Sequence, residues 1–346
     1  MKKLRIAING FGRIGRAFFR ASYGRTDMEV VAINDLGDVD NLAYLLTYDT
    51  VYRRSPFTVE VHKDDGQHFL IVGGRRIRVV AERDPGKLPW KTFEVDIVVE
   101  STGFFASYGK SQPHLASGAK RVVITAPVEG APVAGISGAT VLMGINQGAL
   151  KTCDISSNAS CTTNAASPVM AILDEAIGIE KALLNTVHAY TATQSLVDGP
   201  ASKDMRRGRA AAQNIVPAST GAAIAVTEAL PSLLGKFDGI AIRVPAITGS
   251  LVDLTFVAKR DTTVEEVNAA LTAAACEERW KHVFAVTTDP IVSSDIIGDT
   301  HASIADLSFT RVVGGNLVKA LAWYDNEMGY TYALVEHVAE SGRYIG

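Results

Sequence analysis

The chain has 346 residues, 47% hydrophobic and 21% charged, enough for roughly two domains of about 150 residues, each with its own apolar core. Its 34 Lys and Arg against 37 Asp and Glu leave a net charge of −3, which offers no basic surplus for a nucleic-acid backbone. No apolar run approaches the ~18 residues of a spanning helix, and Cys153, Cys161 and Cys276 have neither disulfide-framework nor zinc-site spacing. A reducing, cytoplasmic setting is expected, with the basic start MKKLR read as the beginning of the mature protein.

In chain order, β-branched runs at Leu4–Ile8, Glu29–Ile33, Val95–Glu100, Arg121–Thr125 and Thr140–Ile145 alternate with helix-like segments. This pattern predicts an α/β, Rossmann-type doubly wound parallel sheet. Between the second and third runs, Phe57–Val61, Phe69–Val72 and Ile77–Ala81 are joined by short Gly- and Asp-containing turns, which predicts an antiparallel insertion.

The first run ends in Asn9-Gly10-Phe11-Gly12-Arg13-Ile14-Gly15-Arg16 and leads into a helical segment at Ile14–Ala21. Gly10 permits a tight turn, Gly12 a close approach by pyrophosphate, and Gly15 helix–strand packing. The helix start then offers N–H groups to an anion. Asp35 closes the second strand 20 residues after Gly15, where a carboxylate accepts from ribose hydroxyls and repels a 2′-phosphate, so NAD is favoured over NADP. The competing reading is a capping aspartate with no ligand.

After about residue 158 longer strands are expected at Leu183–Tyr190, Gly239–Val244, Ser250–Ala258 and Leu317–Tyr324, forming an α+β domain with a large mixed, mainly antiparallel sheet. Thr263-Val264-Glu265-Glu266 has capping-box order and opens an alanine-rich helix expected to reach Trp280. Thr191–Asn214 is a long polar loop of the kind that serves function or an interface. Ser157-Asn158-Ala159-Ser160-Cys161-Thr162-Thr163-Asn164 precedes a helix whose apolar period runs through Val169, Ile172, Leu173 and Ile177 and stops at Gly178. Cys161 therefore sits at a helix N-terminus, where a thiolate is stabilised and becomes a nucleophile. His188, among polar neighbours, is the candidate base; the other six histidines keep ordinary structural readings.

These segments, with Ala81–Pro85, His188–Gln194, Ala211–Ala223, Arg243-Val244-Pro245 and Trp323–Glu327, resemble the phosphorylating glyceraldehyde-3-phosphate dehydrogenases over nearly the whole chain. The resemblance implies a homotetrameric enzyme of glycolysis and gluconeogenesis that uses NAD and inorganic phosphate. It implies an NAD-binding domain at 1–158, a catalytic domain at 159–323 and a helix at 324–346 returning to the first domain. By it, Cys161 forms a thiohemiacetal and then a thioester, with His188 as base. Arg243 and Thr191 take the substrate phosphate; Ser160, Thr162, Thr220 and Gly221 take inorganic phosphate. Arg13, Ile14, Arg83, Thr125 and Asn326 join Gly10, Gly12, Gly15 and Asp35 as cofactor contacts, and Pro200 matches the NAD-specific form. Arg206, Arg207 and Arg209 are read as loop anchors. Ala165, Ile224, Met328 and Ala246-Ile247-Thr248-Gly249 depart from the usual pattern. Competing readings are an erythrose-4-phosphate dehydrogenase, an NADP-dependent form and a non-catalytic dinucleotide-binding regulator.

Overall fold

The computed structural model describes residues 3–128, 130–201 and 204–345; the basic start rests partly on Met1 and Lys2, which lie outside them. The chain divides into two units. One takes the residues up to Val141, then Asn146–Ala159 and those from Leu334 on; the other takes Leu142–Ile145 and Ser160–Ala333. The second division thus falls inside the last helix, where the expected limit lay before it. Ala333 belongs to the core of the second unit, so the helix begins in that core.

In the first unit β1 (Leu4–Asn9) leads into α1 (Arg13–Ser22), β2 (Met28–Asn34) and α2 (Val39–Thr47). Then come β3 (Val59–Asp64), β4 (Gln67–Val72), β5 (Arg75–Val80) and β6 (Ile97–Glu100). The short helices α3 (Tyr108–Ser111) and α4 (Pro113–Ala116) precede β7 (Arg121–Ile124), β8 (Gly138–Thr140) and β9 (Ile155–Ser157). Among the described residues the strands form one sheet in the order β3-β4-β5-β2-β1-β6-β7-β9-β8. It is parallel from β5 to β8, and β4 runs antiparallel to both β3 and β5. The antiparallel strands therefore extend one edge of the sheet. Ile6, Ala7 and Ile8 are all fully buried, as a parallel strand covered on both faces requires.

The strand expected at Thr140–Ile145 is not formed. Pairing ends at Thr140, Gly144 has φ +81°, and Ile145 N–H turns back to Leu142 O. Its apolar run is buried without a ladder, while the short, polar β9 takes the place in the sheet.

The second unit runs α5 (Cys161–Ala176), β10 (Ile179–Ala189), β11 (Val216–Ser219), α6 (Ala222–Ala229), β12 (Phe237–Val244) and β13 (Ser250–Ala258). After them come α7 (Val264–Ala275), β14 (Phe284–Thr287), β15 (Ser303–Val313), β16 (Leu317–Tyr324) and α8 (Met328–Gly342). The sheet order is β11-β12-β10-β13-β16-β15-β14, antiparallel except for the parallel pairs β10/β12 and β14/β15. Val169, Met170 and Leu173 of α5 are fully buried in one cluster with Leu184, Val252 and Phe256 of the sheet. At about 1.5–3 kcal/mol for each large apolar side chain, this packing holds the first residue of α5 against the strands.

Two expectations about α7 need correction. It stops at Ala275, and Trp280 is buried beyond it in a turn, where a Cβ on Gly144 would come within 2.7 Å of the indole. Thr263 does cap Glu266 N–H, but the Glu266 carboxylate is drawn to Arg260 and Thr262 and does not reach back to Thr263. The capping box is half-formed because a cation lies within reach.

Candidate active site

Ser160 caps α5, its Oγ accepting from Thr163 N–H at 3.1 Å, so Cys161 occupies the first helical position. The parallel register of β10 and β12 sets His188 directly beside Arg243. The two side chains therefore project to one face. Cys161 Sγ lies 3.4 Å from His188 Nε2. On the far side of the ring, Nδ1 is 2.6 Å from the carbonyl of Ala189 and 2.5 Å from Nη1 of Arg243, which also donates to that carbonyl at 3.0 Å.

The carbonyl can only accept. With Nδ1 protonated and donating to it, Nε2 is a bare acceptor facing a thiol. After loss of one proton from the pair, Nδ1 accepts from Arg243 and Nε2–H faces a thiolate. Burial, then the charge of Arg243, pushes the His188 pKa down to about 3, against the Ala189 carbonyl. Burial likewise pushes the Cys161 thiol up, opposed by Arg243 and by helix N–H groups. Desolvation of the anion therefore opposes the stabilisation that the helix terminus and Arg243 offer a thiolate here. Tyr324, which the sequence placed only at the end of a strand, packs against the site. Its hydroxyl joins Thr162 Oγ1 at 2.9 Å and Thr186 Oγ1 at 2.8 Å, and its ring meets the imidazole edge-on.

Arg243 Nε and Nη2 make no hydrogen bond among the described residues. Arg207 donates to Thr193 Oγ1 at 3.3 Å, and Thr193 is paired with Thr191 at 2.9 Å. Arg207 is close enough for its charge to act on Arg243, and neither guanidinium has an ion pair among the described residues. Arg206 and Arg209 behave as expected of loop anchors, bound to Asp204 and Asp198; Arg207 does not. Two half-buried cations with two hydroxyls form a site chemically suited to an anion. Thr162 is buried, and its hydroxyl is shared with that of Tyr324. Thr220 Oγ1 accepts from Ala222 N–H at 3.2 Å and Gly221 is the N-cap of α6.

In the first unit a cleft of about 480 Å³ is lined by Asn9, Gly10, Gly12, Asp35, Arg83 and Thr102, among others. Gly10 has φ +93°, and a Cβ there would strike Thr102 N at 2.7 Å. Gly12 faces open space and no side chain caps α1, the uncapped start a pyrophosphate needs. A Cβ on Gly15 would lie 2.1 Å from Gly10 O, so this glycine sets the turn against the helix. Asp35 accepts from Phe11 N–H at 2.6 Å and Gly37 N–H at 2.8 Å. It braces the glycine turn while lining the cleft, and the cap of α2 is Asp38 instead. Arg13 is paired with Asp49; neither it nor Ile14 lines the cleft with its side chain. Thr125 donates its N–H to Glu100 O past the end of β7 and is also outside the lining. Sequence reading missed Leu36, Ser101, Thr102 and Phe104. The signal was their position just beyond the carboxyl ends of β2 and β6, where doubly wound sheets bind ligands.

In the second unit Asn326 Oδ1 accepts from Gly249 N–H at 3.1 Å, Ser250 Oγ at 2.9 Å and Thr248 Oγ1 at 3.3 Å. The donor from Gly249 fixes which amide atom points inward, and Nδ2 remains to donate. Of the departures, Thr248 is built into this clamp, Ala165 is fully buried in α5, and Ile224 is exposed on α6.

Residues 4–108 match the family model described as glyceraldehyde 3-phosphate dehydrogenase, NAD binding domain, and residues 160–326 match its C-terminal domain. The chain is 46% identical to a glyceraldehyde-3-phosphate dehydrogenase of Mycobacterium avium, covering 98% of this chain and 99% of that protein. It is 47% identical to those of Streptomyces coelicolor, covering 96% and 97%, and Cereibacter sphaeroides, covering 99% of each.

Proposed function

The chain belongs to the glyceraldehyde-3-phosphate dehydrogenase family, and we propose that it oxidises glyceraldehyde 3-phosphate to 1,3-bisphosphoglycerate with NAD and inorganic phosphate. The observation that carries this reading is the thiol–imidazole pair at 3.4 Å with the Arg243 guanidinium against the same imidazole.

Cys161 Sγ attacks the aldehyde carbon, and its proton passes to Nε2 of His188. The oxygen of the tetrahedral adduct is held by the N–H of Cys161 at the start of α5 and takes the proton back from His188 Nε2, giving the thiohemiacetal and restoring the neutral base. NAD supplies the hydride acceptor. As the C–H hydride leaves the thiohemiacetal, His188 removes its hydroxyl proton, giving a thioester on Cys161. A phosphate oxygen then attacks the thioester carbon and expels the Cys161 thiolate. Arg243 with Thr191 holds the C3 phosphate, assisted by Arg207. Ser160, the N–H of Thr162, Thr220 and Gly221 receive the attacking phosphate. The cleft supports assigning Gly10, Gly12, Asp35 and Arg83 to the dinucleotide; Arg13, Ile14 and Thr125 act there through the backbone. Asn326 Nδ2 donates to the carboxamide.

A homotetramer is assigned as well. The open face of the second sheet exposes Leu183, Ile240 and Leu317, and Asn185 Oδ1 is buried there with no hydrogen-bond partner among the described residues, a surface suited to a second copy of the chain. Among the described residues no helix is long and apolar enough to cross a membrane, and a cytoplasmic setting is proposed. Initial rates with glyceraldehyde 3-phosphate and erythrose 4-phosphate, each with NAD or NADP and with or without phosphate, test the reading. Strict dependence on phosphate and NAD with the triose is expected; faster turnover of the tetrose would overturn it.

A further inference from the structure

The ladder between β10 and β13 gives out at Val187↔Leu251. Beyond it, the N–H of Ala189 finds the hydroxyl of Ser250 at 3.1 Å in place of a strand carbonyl. Ser250 is buried, and its Oγ donates to Oδ1 of Asn326 at 2.9 Å. A hydroxyl has one proton to give, and the N–H of Ala189 can only donate. The direction of the chain is therefore set: Asn326 Oδ1 takes the Ser250 proton, and the Ser250 lone pair takes the Ala189 N–H. The carbonyl of the same residue 189 is the group that His188 and Arg243 share.

One buried hydroxyl thus joins the amide of Asn326 to the back of the imidazole. We propose that Ser250 is a positioning residue that couples Asn326 to His188 through residue 189, so that the amide assigned to the cofactor also sets the geometry of the base. The proposal rests on the reading of Cys161 and His188 as nucleophile and base. Gly249 N–H and Thr248 still hold Oδ1 when the Ser250 hydroxyl is gone. The loss should therefore fall on the His188 side, where the Ala189 N–H is left without an acceptor.

The test uses the full chain without nucleotide. The rate of Cys161 alkylation by iodoacetamide is followed against pH, with peptide mass spectrometry separating Cys161 from Cys153 and Cys276. Ser250→Ala should slow Cys161 alkylation at neutral pH by roughly threefold to tenfold, the worth of one neutral hydrogen bond, and move the pH profile toward that of His188→Asn. Ser250→Thr, which keeps the hydroxyl, should stay near the parent. Asn326→Ala should slow the reaction in the same sense although no nucleotide is present, and it carries the test if Ser250→Ala does not fold. In a His188→Asn background, Ser250→Ala should add nothing.

A parent-like profile for both Ser250→Ala and Asn326→Ala would overturn the coupling. So would an undiminished Ser250→Ala effect when His188 is absent. If His188→Asn itself leaves Cys161 alkylation unchanged, the nucleophile–base reading fails, and the coupling fails with it.

Discussion

Arg243→Ala removes two interactions that the structure keeps apart. Nη1 serves the Ala189 carbonyl and the ring of His188, whereas Nε and Nη2 are left for an anion. Loss of a charge-assisted hydrogen bond to a phosphate costs about 1.5–3 kcal/mol, and at about 1.4 kcal/mol per decade that is roughly tenfold to a hundredfold in kcat/KM for glyceraldehyde 3-phosphate. Disturbance of His188 adds a factor that every aldehyde shares. Unphosphorylated glyceraldehyde isolates the shared factor, since it has no phosphate for the arginine to grip. The quantity to measure is the ratio of kcat/KM for the two substrates in parent and variant, which should fall by roughly tenfold to a hundredfold on top of any common loss. The charge of Arg243 is also one cause of the low His188 pKa, so the variant's His188 should titrate higher while burial still holds it below 6.5. An unchanged substrate ratio, whatever the absolute rates, would make Arg243 a support for the base alone and refute the phosphate assignment.

Cys161→Ser should abolish oxidation while NAD affinity measured by calorimetry stays within a few-fold, because the hydroxyl is a far weaker nucleophile; appreciable turnover would exclude the covalent route. Asp35→Ala should narrow the preference for NAD over NADP and, by freeing the Phe11 and Gly37 N–H groups, lower stability by about 1–3 kcal/mol in urea denaturation. No change in the ratio of specificity constants would show that Asp35 only braces the turn. His337 is fully buried, bonded to Ser156 and Asn158, and its pKa is pushed down to about 3 by burial. Between pH 6.5 and 3 the unfolded chain binds the proton that the folded histidine refuses. Stability should thus be complete above about pH 6.5 and fall on acidification by up to about 1.4 kcal/mol per pH unit for this group. His337→Gln should flatten that dependence over pH 5 to 7; an unaltered slope would place the acid sensitivity elsewhere.

What the sequence determined by itself lies where cause and effect are close along the chain. Gly10, Gly12 and Gly15 can be read as a turn because they fall in one short segment, where Gly10 and Gly15 each leave no room for a Cβ and Gly12 leaves the helix start open. Cys161 can be placed at a helix start because Ser160 and the apolar period of α5 adjoin it. The β-branched runs of the parallel strands were legible because their buried stretches, such as Ile6–Ile8 and Ile97–Val99, carry no polar residue; β8 and β9 were not, being three residues each. Tertiary structure alone decided the rest. His188 and Arg243 become neighbours only through the register of β10 with β12. Tyr324 reaches Thr162 and Thr186 from a distant strand, and Arg207 differs from Arg206 and Arg209 solely in what surrounds it. The ionisation of Cys161 belongs to the same class. A helix N-terminus can be read from sequence, but the desolvation that opposes it comes from packing around the sulfur, which no local pattern encodes.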